Sequence, residues 1–177
     1  MSAPTEASQL AHEALALWEA GELSKAEGKY RLALALAPPD HWATSLVRGQ
    51  WAAVLSQLDR DDEALDQWAQ TLADELRAAG NEEGGGVRST RYFFAKHLLK
   101  MGLAQAALEM IAPLHGQSCE WLVKELEGDA LMALGRSADA REAFEEGVRL
   151  TRTDEQRESL KARLAGLRDD PSGAVTG

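Results

Sequence analysis

The sequence predicts an all-α fold assembled from repeated helix hairpins, and three observations carry that prediction. Hydrophobic residues make up 45 % of the 177-residue chain, and Ala and Leu dominate them. Those are strong helix formers, whereas strands favour the β-branched residues that are scarce here. The chain also resembles itself: "EALALWEAGELSKAEGKYRLALAL" (13–36) and "EGDALMALGRSADAREAFEEGVRL" (127–150) each read as a helical run, a glycine and a second helical run. Finally, both copies share a frame of small and large residues at matching places.

The elements follow in order. Helices at 5–20 and 23–37 form the first copy, with Ala14 and Leu17 three apart, Gly21 at the turn, then Ala26 and Tyr30 four apart; Pro38 terminates it. Helices at 42–57 and 61–79 form the second, with Ala52, Leu55, Asp59 at the glycine place, Ala64 and Trp68. The third, at 88–101 and 104–114, carries Ala95, Leu98, Gly102, Ala107 and Ile111. The fourth, at 119–134 and 137–151, carries Gly128, Leu131, Gly135, Ala140 and Phe144. The marker alanines are unevenly spaced: 38 residues from Ala26 to Ala64, 43 to Ala107 and 33 to Ala140. The widest gap contains "AAGNEEGGGVRS", where Gly84–Gly86 read as a mobile loop. A ninth helix, 154–168, closes the stack: Thr153 or Asp154 can cap it, acids lie early and bases late, and Leu160, Leu164 and Leu167 form one apolar stripe. Residues 169–177 read as a disordered tail.

This frame resembles the tetratricopeptide repeat, a helix–turn–helix of about 34 residues with small and large residues at fixed places. The likeness covers roughly residues 7–152. It departs from the family pattern at Asp59 and Ile111, and at the early Trp place, held here by Leu10, Arg48, Arg91 and Lys124. The resemblance implies a right-handed α-solenoid of about four hairpins (7–40, 45–80, 88–115, 119–152) and a capping helix, one domain over 1–168. One hairpin cannot bury its apolar face alone, so hairpins must stack. In this family first helices line a concave groove, and the expected function is a non-catalytic scaffold holding a peptide or protein there. A cytoplasmic chaperone of secreted substrates is the alternative, since small acidic members of the family do that; a scaffold domain of an enzyme or regulator is a third class.

Other classes lack their chemistry. The net charge of -10 and pI near 4.9 oppose nucleic-acid binding and an anionic membrane surface. No apolar run reaches the span of a bilayer and no export signal opens the chain, so a cytoplasmic location is expected. His12, His41, His97 and His115 are scattered outside any metal-ligand spacing and read as exposed or capping residues. Cys119 is the single cysteine; it cannot form an intrachain disulfide and reads as a small core residue. "GNEEGGG" lacks the phosphate-loop pattern, and no nucleophile motif is present. Neither catalysis nor a cofactor or metal is expected.

The stretch "VRSTRYFFAKHLLKMG" (87–102) is basic and aromatic in an acidic chain. The frame makes it a first helix, with Phe94, Ala95 and Leu98 on the packed side. Tyr92, Lys96 and Lys100 recur every four residues as a stripe on the groove side. Two readings stay open for the lysines. They pair with Glu125 and Asp129 of the next first helix, or they form a basic pocket for an acidic peptide or C-terminal carboxylate. Trp18 is likewise placed on the groove side, as an exposed anchor or as a ring half-covered by the next helix. The expected partner-binding residues are therefore Trp18, Tyr92, Lys96, Lys100, Glu125 and Asp129. Self-association through an end helix is a further expectation.

Overall fold

The computed structural model of the chain describes residues 3–38, 42–81, 83–117 and 120–167. His41, Cys119, the side chain of Trp42 and the tail at 169–177 lie outside them. Among the described residues the structure is all helical, in sequential hairpins: α1 (Ala3–Glu19), α2 (Leu23–Leu36), α3 (Trp42–Gln57), α4 (Asp61–Ala79), α5 (Gly85–Lys100), α6 (Ala104–Ile111), α7 (Glu120–Ala133), α8 (Ser137–Leu150) and α9 (Asp154–Gly166). A 3-10 turn, Ala112–Leu114, follows α6. Pro113 explains it: proline has no N–H to continue the α-helical ladder.

Contacts divide the chain into two compact units, residues up to Met101 and residues from Gly102 onward. The two helices of the third sequence copy fall in different units, α5 in the first and α6 in the second.

The marker glycines are explained by backbone geometry. Gly21, Gly102 and Gly135 take φ of 77°, 77° and 73°, the left-handed region where a Cβ is strained. At Gly21 and Gly135 the chain reverses while the amides after the turn reach back to the ending helix: Glu22 N donates to Leu17 O at 2.8 Å, and Arg136 N to Leu131 O at 2.9 Å. The second hairpin makes the same turn without glycine. Asp59 has φ 57°, and Arg60 N donates to Leu55 O at 3.0 Å. Aspartate is one of the few residues that tolerate this conformation.

In the first unit, α1 packs on α2, α2 on α3, α3 on α4 and α4 on α5. Its core joins Ala14, Ala26, Tyr30 and Val54, with Leu17, Trp18 and Trp51 packed against it. The small residues sit where helices approach, as the frame requires. In the second unit α6 packs on α7, α7 on α8 and α8 on α9. Phe144 is surrounded there by Leu131, Ala140, Ala143, Leu160 and Leu167. A Cβ on Gly128 would lie 2.6 Å from Phe144 Cζ, so only glycine lets that ring seat. Thr153 caps α9: its Oγ1 accepts from Gln156 N, and Gln156 Oε1 accepts from Thr153 N. Leu160 and Leu167 are buried and Leu164 packs beside them, the expected stripe.

The triple glycine departs from the loop expectation. Gly84 is the N-cap of α5, and Gly85 and Gly86 are its first helical residues. A helix's first turn leaves N–H groups unbonded whatever residue stands there. A Cβ on Gly86 would land on the Glu75 carboxylate, so glycine here admits an acid from α4 against the start of α5. A carboxylate at a helix N-terminus is favoured by the helix dipole.

Candidate functional site: an apolar groove in the first unit

A cavity of about 260 Å³ opens on the first unit and is lined by α1, α3, α4 and the first half of α5. Trp18 contributes from α1. From α3 come Leu46, Gly49 and Ala53, spaced three and four apart along one helix face. Gly49 packs the backbone of α3 near Trp68 and Thr71 of α4; a Cβ there would sit 3.5 Å from the indole and from Thr71 Cγ2, in ordinary contact. Trp68 is buried and lies at the base of the cavity. From α5 come Gly86, Ser89, Thr90 and Phe93.

The surface is apolar and open. Leu46 is 54 % exposed and Phe93 49 % exposed, high values for large apolar side chains inside a concave site. Phe93 is held rigidly: it stacks on Trp68 with centroids 6.3 Å apart and planes 15° apart, and Tyr92 meets it edge-on at 5.3 Å. Offset and edge-to-face pairs of this kind fix ring orientation. The Lys96 ammonium lies 5.8 Å from the Tyr92 ring centroid, so a line of three rings runs from the cavity base to a cation. Glu75 supplies the cavity's charged group, its Oε1 accepting from Ser45 Oγ.

The residues expected from sequence to bind partners are divided by the structure. Trp18 lines the cavity, half-buried, and its Nε1 donates to Gln57 Oε1 at 3.1 Å. Tyr92 and Lys96 are not in the lining; they adjoin Phe93 on α5, Tyr92 through its ring edge and Lys96 over the Tyr92 ring. Lys100 is engaged elsewhere: its Nζ donates to Asp59 Oδ1 at 2.8 Å, to Asp61 Oδ1 at 2.7 Å and to the Ser56 carbonyl. The hydrogen bond it donates to Asp59, then that to Asp61, raises the Lys100 pKa above its ordinary value. Glu125 and Asp129 belong to α7 in the second unit, and Asp129 pairs with Arg163 of α9 at 2.9 Å. The base sought by Asp129 is thus in the capping helix, and the acids sought by Lys100 are at the α3–α4 turn.

Two residues were not found from sequence. Phe93 lies between two aromatics, and only the rotation of α5 shows which of the three faces the cavity; Phe94 is buried and Tyr92 half-buried. His97 corrects the reading of the histidines as exposed or capping. That holds for the exposed His12 and His115, but His97 is 3 % exposed. Its Nε2 lies 3.0 Å from the Asp61 carbonyl and must donate; its Nδ1, 2.9 Å from Ser56 Oγ, then accepts from the hydroxyl. His97 and Lys100 together tie the C-terminal half of α5 to the α3–α4 turn, and so set the position of the cavity wall that α5 forms.

The second unit carries a wider basin of about 730 Å³ along α6, α7 and α8. It is lined largely by charged side chains that pair with one another: Lys124 with Glu127 at 2.9 Å, Arg136 with Asp139 and Arg149 with Glu146 at 2.6 Å. Among the described residues no group of three or more His, Cys, Asp and Glu could hold a metal ion, and no helix is long and apolar enough to cross a membrane.

The hairpins and their turns define a tetratricopeptide-like repeat protein. A family model, "Tetratricopeptide repeat-like domain", matches residues 79–169, just over half of the chain, and the chain belongs to that family. Such repeat domains generally serve as protein-interaction modules. Solved structures agree on the fold. Nearly identical TPR-like repeats of a candidate kinesin light chain from Podosopora anserina superpose with a TM-score of 0.79 at 16 % identity, over 94 % of this chain and 87 % of that one. The pilF protein of Pseudomonas aeruginosa gives 0.73 at 17 % identity, over 94 % and 69 %. No curated protein matches the chain.

Proposed function

We propose that this chain is a non-catalytic interaction module that holds a peptide or protein segment in the groove of its first unit. One observation carries the reading: Leu46 and Phe93 remain half-exposed around a cavity whose base is already closed by Trp68. Apolar surface presented in a concave site gains most from a partner that covers it, at about 25 cal/mol per Å² buried. Of the residues expected from sequence, Trp18 acts as an aromatic anchor at the rim, and Tyr92 and Lys96 support and extend the α5 wall. Lys100 fixes that wall in place.

The test is capture of native partners by the tagged protein, compared with Leu46→Asp and Phe93→Asp. Both side chains are half-exposed, so a charge there alters the groove without removing core packing, and helicity should be unchanged by circular dichroism. Partners captured by the wild type should be lost from both variants. An identical set of partners would refute the groove.

A chaperone of secreted substrates, working in the cytoplasm, is the second reading, and the same exposed apolar rim favours it. Such a client would be held unfolded, and amide hydrogen exchange of the captured protein separates this from docking of a folded one.

A further inference from the structure

The groove has an electrical polarity as well as an apolar lining. Most charged side chains near it are neutralised within the first unit: Arg48 and Arg77 pair with Asp74, and Lys100 with Asp59 and Asp61. Two are not. Glu75, at the α5 N-terminal end of the cavity, is hydrogen-bonded by the Ser45 hydroxyl and has no ion pair among the described residues. Lys96, at the other end of the ring line from Trp68 through Phe93 and Tyr92, is exposed, with its ammonium over the Tyr92 face. Glu75 rests against Gly86, and Lys96 lies ten residues further along α5. At 1.5 Å per residue that is a rise of about 15 Å along the helix, past Ser89, Thr90 and Phe93 of the cavity wall.

On the reading that the groove binds a segment, we infer that it selects one of bipolar charge: an apolar centre for Leu46, Phe93 and Trp18, a basic side chain meeting Glu75 and an acidic one meeting Lys96. The physical ground is complementarity. A charge brought into a partly desolvated site needs an opposite partner, and a like charge is repelled, so mismatched ends weaken binding and matched ends fix orientation. The overall charge of -10 does not produce this preference, because it would favour bases at both ends alike.

The test uses labelled helical peptides with one Ala/Leu centre. They differ at two positions about eleven residues apart, which a helix places on one face at about the required span. The end pairs are Lys with Glu, Lys with Lys, Glu with Glu, and Gln with Gln, read by fluorescence anisotropy. The Lys/Glu peptide should bind about three- to tenfold more tightly than Gln/Gln, since each exposed pair adds a factor of a few. Glu75→Gln should leave only the factor of a few that the Lys96 pair supplies, Lys96→Glu should transfer the preference to Lys/Lys, and about 1 M salt should level all four. Equal binding of the four peptides, still abolished by Leu46→Asp, would overturn the charge inference and leave the groove reading standing. No binding by any peptide, or binding indifferent to Leu46→Asp and Phe93→Asp, would overturn both. Self-association of the unliganded protein that Leu46→Asp abolishes would assign the groove to a second copy and also overturn the inference.

Discussion

Replacing a helical glycine by alanine should have opposite signs at two positions of this chain. Gly28 lies inside α2 with nothing within 4 Å of an added Cβ. Gly28→Ala therefore contributes only helix propensity, a gain of about 0.5–1 kcal/mol. Gly128 lies inside α7, and its added Cβ falls 2.6 Å from Cζ and 2.7 Å from Cδ1 of Phe144. The ring is 1 % exposed and walled by Leu131, Ala140, Ala143, Leu160 and Leu167, so it has no free space to withdraw into. Overpacking of this kind costs about 1–3 kcal/mol. Set against the same propensity gain, Gly128→Ala should destabilise by about 0–2 kcal/mol. The two variants should therefore differ by about 1–3 kcal/mol in urea unfolding followed by circular dichroism. Adding Phe144→Leu to Gly128→Ala should recover part of the loss relative to Phe144→Leu alone. If Gly128→Ala gains as much as Gly28→Ala, the close approach of α7 and α8 at that ring is wrong, and with it the explanation of the small residue in the repeat frame.

Tyr30 and Lys100 give two more tests. The Tyr30 hydroxyl is buried without a hydrogen-bond partner among the described residues, and burial, with the nearby Glu19 charge, pushes its pKa up to about 12. Its folded pKa is raised, so the neutral phenol's contribution is intact below pH about 10 and is lost as pH rises from there through about 12. Tyr30→Phe should be within about 1 kcal/mol of wild type at neutral pH and lose about 1 kcal/mol less than wild type at pH about 11, by urea midpoints at both pH values. Lys100→Met should destabilise by no more than about 1 kcal/mol, because its ammonium is partly solvated, and less in high salt. Because the same contacts hold the α5 wall, peptide affinity in the groove should fall by a factor of a few at most by anisotropy; a larger loss at unchanged stability would return Lys100 to the binding surface itself.

Much of the fold was legible because the repeat markers are backbone requirements. Gly21 and Gly135 announce left-handed turns, and Ala26 and Ala140 announce close helix contacts, each visible in one stretch of sequence. The packed side of α5 was legible for the same reason: Phe94, Ala95 and Leu98 are buried as their spacing required. The groove was less legible. Phe93 and Tyr92 are adjacent, and one residue of helix rotation decides which lines the cavity. Gly85 and Gly86 suggested a loop by propensity, but they form the first turn of α5, with Gly86 against Glu75 of α4. The acids that hold Lys100 lie about forty residues away in "DRDD", which reads locally as a solvated helix start, and nothing in either segment alone announces the pairing.

Asp59 has a consequence for the repeats as building blocks. A glycine turn could be moved from one hairpin to another without loss, because it offers no side chain. At Asp59 the turn carries a carboxylate that receives Lys100 from the next helix, so this hairpin has acquired an address in the array. Exchanging it for the glycine turn of the fourth copy would relieve the left-handed residue and cut the tie to α5. The copies have ceased to be interchangeable at the place where one of them looks most worn.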